Sequence, residues 1–213
     1  MSSPAQITWN DGGVPVSTRF DDPYYSLADG LAETQHVFLA GNDLPARFRP
    51  GFHIAELGFG TGLNFCAALR AWRAAGMDGP LHFTTFEAFP MAPEDQAKAL
   101  AAFPIIAAEA EGLRTGNPPD AVLTIVEGDV RDTLPAWSGQ ADAWFLDGFS
   151  PAKNPEMWSD TLLAEVGTHT APQGTAATYT AAGHVRRGLE AAGFAVTRTA
   201  GFGRKRHMTR AAR

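Results

Sequence analysis

Short apolar runs and amphipathic stretches alternate along most of the chain, and from Phe52 onward the alternation is regular. Residues 52–57 (FHIAEL) predict a strand, which leads through a glycine turn into a helix over about 63–75. Residues 81–88 predict a second strand, followed by a helical region with Pro93 near its start. Third and fourth strands are expected at 121–129 and 141–148. A helix beginning near Ser159 leads to a fifth strand at 174–180, and a helix over about 182–192 leads to a sixth at 194–200. A last strand is expected near 207–210. This alternation predicts an α/β fold with a mostly parallel sheet and helices on both faces. Ligands of such sheets lie at the carboxyl ends of the strands, where the strand order reverses.

Residues 1–50 read differently, as an extension packed on the main domain at 51–213. QITW and VPVS flank the turn residues Asn10, Asp11, Gly12 and Gly13, which predicts a hairpin over 6–17. An acidic and aromatic loop follows, then a helix over about 29–40 that Asp29 can cap and whose apolar face holds Leu31, Val37 and Phe38.

At 213 residues, with 45% hydrophobic and 19% charged positions, the chain is long enough for one ordinary core plus an extension. Its single cysteine, Cys66, excludes an intramolecular disulfide and points to a small core residue. The six histidines lack metal-ligand spacing, so no metal is expected. No secretory pattern opens the chain and no apolar run of about 18 residues occurs, so a cytoplasmic protein without a membrane span is expected. The net charge of −6 argues against a polyanionic partner until it is placed along the sequence. Residues 184–213 hold eight basic groups and one acid, Glu190, which leaves an acidic body and a basic tail.

The end of the first predicted strand carries the first chemistry. Glu56-Leu-Gly58-Phe-Gly60-Thr61-Gly62-Leu63-Asn64 is a glycine turn entered by a carboxylate. It lacks the third glycine of a dinucleotide fingerprint, and no phosphate-binding lysine follows. An acid entering such a turn suits a cationic cofactor such as S-adenosylmethionine, whose sulfonium and α-amino group it would attract; a nucleotide is the alternative. Glu87 ends the second strand, where a carboxylate can accept from ribose hydroxyls, and Asp129 ends the third, where one can accept from an adenine amino group. Three acids at three successive strand ends favour the first reading.

The fourth strand delivers Asp147 to the cleft floor, followed by Gly148, Phe149, Ser150 and Pro151. This pattern resembles the Asp-Pro-Pro-aromatic loop of amino-group methyltransferases. A carboxylate there can orient an amine and attract the charge that develops on it. The segment from Asp147 to Trp158 (DGFSPAKNPEMW) also resembles the methyltransferase domain of the MnmC family, which makes 5-methylaminomethyl-2-thiouridine at the tRNA wobble position. FDDPYYS (20–26), GLAETQHVFLAGN (30–42), ELGFGTGLNF (56–65), TYTAAGHVRRGL (178–189) and GFGRKR (201–206) share that likeness.

The resemblance implies a Rossmann-like class I methyltransferase fold and methylation of the primary amine of 5-aminomethyluridine. It implies that Glu56, Gly58, Gly60, Thr61, Gly62, Asn64, Glu87, Asp129 and Asp147 hold the cofactor, with Asp147 catalytic. Many members carry a further flavin oxidase domain. With no second glycine fingerprint before Arg213, the chain resembles the form without it, and a separate oxidase or aminomethyl-forming enzyme is the expected partner. Tyr24, Tyr25, Phe149, Lys153 and Trp158 are the expected contacts to the base or its loop, with Trp158 lining the cleft. Arg204, Lys205 and Arg206 are expected to meet tRNA phosphate. The alternatives are an amino-group methyltransferase for another base or a protein amine, and a silent cofactor-binding partner of a modification complex.

Overall fold

The computed structural model describes residues 4–26, 29–116 and 118–213. The first segment forms a small antiparallel sheet of β1 (Ile7–Trp9), β2 (Pro15–Ser17) and β3 (Asp22–Pro23), in that order. The expected hairpin is its first half, and Asn10 shapes the turn, its Oδ1 accepting from the amides of Gly12 at 3.0 Å and Val14 at 2.9 Å. Asp29 Oδ1 caps α1 (Gly30–Thr34) by accepting from the Ala32 amide at 2.9 Å. The predicted helix does not stay regular to residue 40: it widens into a π-turn at Gln35–Leu39 and tightens into a 3-10 turn at Ala40–Asn42.

That irregular end fastens the extension to the main sheet. The buried Asn42 donates to the carbonyls of Phe38 at 2.9 Å and Trp144 at 3.2 Å, and accepts from Thr175 Oγ1 at 2.6 Å. Arg47 reaches the Asp142 and Gln173 carbonyls and Thr175. Each of these bonds satisfies a backbone or hydroxyl group that burial would otherwise leave costly.

The main body runs β4 (His53–Leu57), α2 (Leu63–Ala74), β5 (Leu81–Glu87), α3 (Pro93–Leu100), α4 (Ala107–Thr115), β6 (Ala121–Glu127), α5 (Val130–Ala136) and β7 (Ala141–Leu146). It continues through α6 (Asp160–Thr168), β8 (Thr170–Thr178), α7 (Gly183–Ala191), β9 (Ala195–Ala200) and β10 (His207–Ala212). The sheet order is β6-β5-β4-β7-β8-β10-β9. The first five of these strands are parallel, and β10 is antiparallel to both neighbours, inserted between β8 and β9.

The two sheet faces carry separate cores. Ile54, Phe83 and Phe145 pack with Leu69 and Trp72 on one side; Leu57, Phe86, Trp144 and Leu146 pack with Leu163 on the other. Strand β7 is buried at all six positions because both faces are covered, as its unbroken apolar run implies. The chain winds outward from β4 through β5 to β6, then returns to start β7 on the other side of β4. The reversal therefore falls between the carboxyl ends of β4 and β7, which carry the glycine turn and Asp147. Among the described residues, no helix is long and apolar enough to cross a membrane.

Candidate functional site

The turn after β4 has left-handed backbone at Gly58 (φ 86°), Gly60 (φ 53°) and Gly62 (φ 77°). At Gly58 close approach is also required: a Cβ there would lie 2.5 Å from the Asp147 carbonyl oxygen. The turn thus lies directly against the end of β7. It opens onto a cavity of about 1590 Å³ that also takes in the ends of β5, β6 and β7, residues of the first small sheet, and the turn between β9 and β10. A single small ligand commonly fills roughly 300–1,000 Å³. This cavity has room for two.

Asp22, Glu33, Glu87, Asp129 and Asp147 line this cavity, whereas Glu56 and Gly62 lie behind its wall and do not. Glu56 is wholly buried; its Oε1 accepts from Asn64 Nδ2 at 2.9 Å, and the Thr85 hydroxyl stands beside the carboxylate. The other N–H of the same amide goes to Asp147 Oδ2 at 2.6 Å, and Asn64 Oδ1 accepts from Thr34 Oγ1 at 2.8 Å. One asparagine, oriented by Thr34 of α1, therefore bridges the carboxylates that end β4 and β7. Burial, with the nearby Asp147 charge, holds the Glu56 carboxyl well above the usual carboxylate range. Burial likewise pushes Asp147 up to about 7, opposed by its bond from Asn64, while Glu33 adds to the rise and Lys205 offsets it.

Glu87 takes the Gly60 amide on Oε2 at 3.0 Å and the Phe89 amide on Oε1 at 2.8 Å. Burial raises its carboxyl despite those donors. It orders the glycine turn and lines the cavity at once. Asp129 also lines the cavity, but its carboxylate caps α5 through the Arg131 amide and pairs with the Arg131 guanidinium at 2.6 Å, which holds it below its ordinary range. An adenine amino group would be a further donor to a carboxylate already engaged. Thr61 and Asn64 are buried and line the same space.

An aromatic wall stands opposite. Phe149 stacks on Phe20 at 4.7 Å and meets the edge of Tyr24 at 5.1 Å. Burial beside Glu87 pushes the Tyr24 phenol up to about 12, so it stays protonated. Asp22 Oδ2 accepts from the Ser150 amide at 2.9 Å, tying the first small sheet to the loop after β7. Tyr25 lines the cavity at its margin, packed edge-on to Phe103.

Several expected contacts are placed otherwise. Trp158 does not line the cavity: it is 1% exposed in the core, where its indole N–H donates to the Phe149 carbonyl at 2.8 Å and holds the loop from beneath. The Lys153 ammonium is engaged by the Asp21 carbonyl and lies 3.3 Å from Asp21 Oδ2, so it pins the same loop and is not a cavity residue. Arg204 and Lys205 line the cavity and Arg206 does not.

Lys205 is not a free cation. Its Nζ lies 2.8 Å from Glu33 Oε1 and 3.9 Å from the centroid of the Tyr179 ring.

Glu33, Thr34 and Tyr179 were missed by reasoning from strand ends. A signal existed for Glu33: it lies four residues before the core residue Val37, on the face of α1 that should be apolar. A carboxylate on that face needs a reason, and the cavity supplies one.

The profile of an S-adenosyl-L-methionine-dependent methyltransferase family matches residues 94–213. The tRNA 5-methylaminomethyl-2-thiouridine biosynthesis bifunctional protein MnmC of Caulobacter vibrioides is 47% identical over 99% of this chain and 38% of its own length. The MnmC of Ectopseudomonas mendocina is 48% identical over 96% of this chain and 34% of its own. The chain thus spans well under half the length of these curated relatives. The crystal structure of MnmC2 from Aquifex aeolicus is similar with a TM-score of 0.77, at 27% identity, over 98% of this chain and 70% of that one. Sheet order, the glycine turn against Asp147 and the matched profile agree: the chain belongs to the S-adenosyl-L-methionine-dependent methyltransferase family.

Proposed function

We propose that the protein methylates the 5-aminomethyl group of the wobble uridine, with or without 2-thiolation, in tRNA. The observation that carries this is Asp147: a buried carboxylate at the switch point of the sheet, bridged by Asn64 to the turn that would hold the cofactor. Similarity to MnmC over nearly the whole chain supports the substrate.

The residues present fit the cofactor. Glu87 faces the cavity where ribose hydroxyls would lie, and Glu56, buried behind Asn64 with the Thr85 hydroxyl beside it, adds negative charge that favours a cation without lining the cavity itself. The glycines leave the backbone uncovered for close approach. Gly58, Gly60, Thr61, Gly62, Asn64 and Asp129 would complete the cradle. When bound, S-adenosylmethionine supplies a methyl group on a positively charged sulfur.

Asp147 then has two tasks. It would orient the acceptor amine by accepting an N–H and attract the positive charge that grows on that nitrogen as it takes up a methyl group. The proton lost by the methylated amine passes to Asp147 or to water. Phe20, Tyr24 and Phe149 offer rings on which a splayed-out base can stack. In this reading residues 1–50 build the base-facing wall, 51–213 build the cofactor half, a separate enzyme supplies the aminomethyl group, and the protein works in the cytoplasm.

The test uses labelled cofactor and bulk tRNA from a strain lacking this methyl group. Label confined to the wobble-uridine nucleoside is the expected result. Label in protein, DNA or another nucleoside, or in nothing, overturns the reading.

A further inference from the structure

The contacts around Lys205 describe a binding seat. Glu33 sits on α1 with a side chain only 12% exposed, and it faces the cavity. The Tyr179 hydroxyl donates to the Gly148 carbonyl at 2.6 Å, which fixes its ring beside the residue that follows Asp147. Between carboxylate and ring face lies a primary alkylammonium, the Lys205 Nζ, at 2.8 Å from the one and 3.9 Å from the centroid of the other. Such a pairing of carboxylate and π-face selects cations on an aliphatic stem. The seat is electrostatically joined to Asp147, which feels both Glu33 and Lys205.

A 5-aminomethyl group presents the same chemistry as a lysine tip: a primary ammonium on a methylene. We propose that Glu33 and the face of Tyr179 form the seat that receives the acceptor's ammonium beside Asp147, where it gives up one proton to solvent before its nitrogen can attack, and that Lys205 fills this seat in the substrate-free protein until the acceptor displaces it. The inference rests on the amine-methylation reading and names the residues that would select an amine. Lys205 comes from the turn between β9 and β10 and is 44% exposed, so its departure uncovers no core.

A phosphate role for Lys205 predicts the opposite sign. Removing a phosphate contact weakens tRNA binding, whereas removing a placeholder strengthens acceptor binding by the fraction of seats it had closed. The experiment compares wild type, Lys205→Met, Glu33→Gln and Tyr179→Leu with a short anticodon stem-loop carrying 5-aminomethyluridine.

Lys205→Met should lower KM about threefold to tenfold, while the acid limb of the rate moves to higher pH because Asp147 loses a nearby positive charge. Glu33→Gln should raise it about tenfold or more, with kcat less affected. Ethylammonium chloride is the second probe, titrated calorimetrically into each protein without cofactor or RNA. It should bind Lys205→Met more tightly than wild type, and Glu33→Gln and Tyr179→Leu more weakly. A higher KM for Lys205→Met, or ethylammonium binding indifferent to all three substitutions, overturns the proposal. Wild type that binds ethylammonium in this pattern yet methylates no aminomethyl stem-loop would instead overturn the proposed function and leave the ammonium seat standing.

Discussion

Asp147 and Glu56 are both carboxyls raised by burial, and a cation beside either favours its ionised form. Asp147, pushed up to about 7, is protonated in much of the free protein just below neutrality, and only its ionised form can attract a growing ammonium. Activity should therefore fall on the acid side of an apparent pKa at or below about 7, because a bound cation favours the carboxylate. A pH profile of kcat/KM for the acceptor in wild type against Asp147→Asn checks this; the variant should lose about 10²–10⁴ in kcat and the acid limb together. Glu56 is held above its ordinary range as well, by burial and the nearby Asp147 charge, against the pull of Asn64 and Thr85. A cationic cofactor in the cavity would favour its carboxylate, so binding should release a proton wherever the free protein holds that carboxyl neutral. Calorimetry in buffers of different ionisation enthalpy measures that proton. Glu56→Gln should abolish the release and weaken cofactor binding about tenfold or more.

At the scale of elements, the switch-point turn couples two strands through a single glycine. Gly58→Ala would add a methyl 2.5 Å from the Asp147 carbonyl at a φ of 86°, so the turn or the end of β7 must move. It should cost about 1–3 kcal/mol of stability and also lower cofactor affinity. Gly13→Ala has a similar φ of 71° but nothing within 4 Å of its Cβ, so it should show strain without loss of binding. Denaturant titration and cofactor titration of the pair separate the two effects. The strand ends were legible in the sequence because apolar runs of strand length stop at acids and glycines, and those ends hold Glu56, Glu87, Asp129 and Asp147. The π-turn at Gln35–Leu39 was not, since nothing in the local pattern records that Thr34 must reach Asn64 across 30 positions. Nor was the insertion of β10 between β8 and β9, because strand order depends on pairing between distant segments. Trp158 was misplaced for a related reason: a tryptophan beside a catalytic loop can support it from the core as readily as line the cleft.

Over the whole molecule, the basic tail divides once its partners are known. Arg210 is held by the Gly41 carbonyl and Asp43, Arg213 by the carbonyls of Gly167 and Thr170, and Lys205 by Glu33. These three complete the fold or the cavity and have little charge to offer a long polyanion. Arg186 of α7, Arg198 of β9 and Arg206 of the adjoining turn share one neighbourhood: His207 is lowered first by desolvation and then by the charges of Arg198, Arg206 and Arg186. Their surface adjoins the cavity mouth through Arg204, two residues before Arg206, which lines it. A tRNA whose wobble base enters the cavity would lay phosphates across this surface. Each phosphate neutralised contributes about 0.7–0.9 to the slope of log K against log salt. Replacing Arg186, Arg198 and Arg206 by Ala should therefore weaken tRNA binding and flatten that slope by about two, at unchanged cofactor affinity. With tRNA that lacks the aminomethyl group, and so leaves Lys205 on Glu33, Lys205→Met should leave the slope as it is. Salt titrations of both proteins decide which arginines meet the RNA. A slope unchanged by the triple substitution, or flattened by Lys205→Met alone, would move the phosphate contact to Arg204 and Lys205.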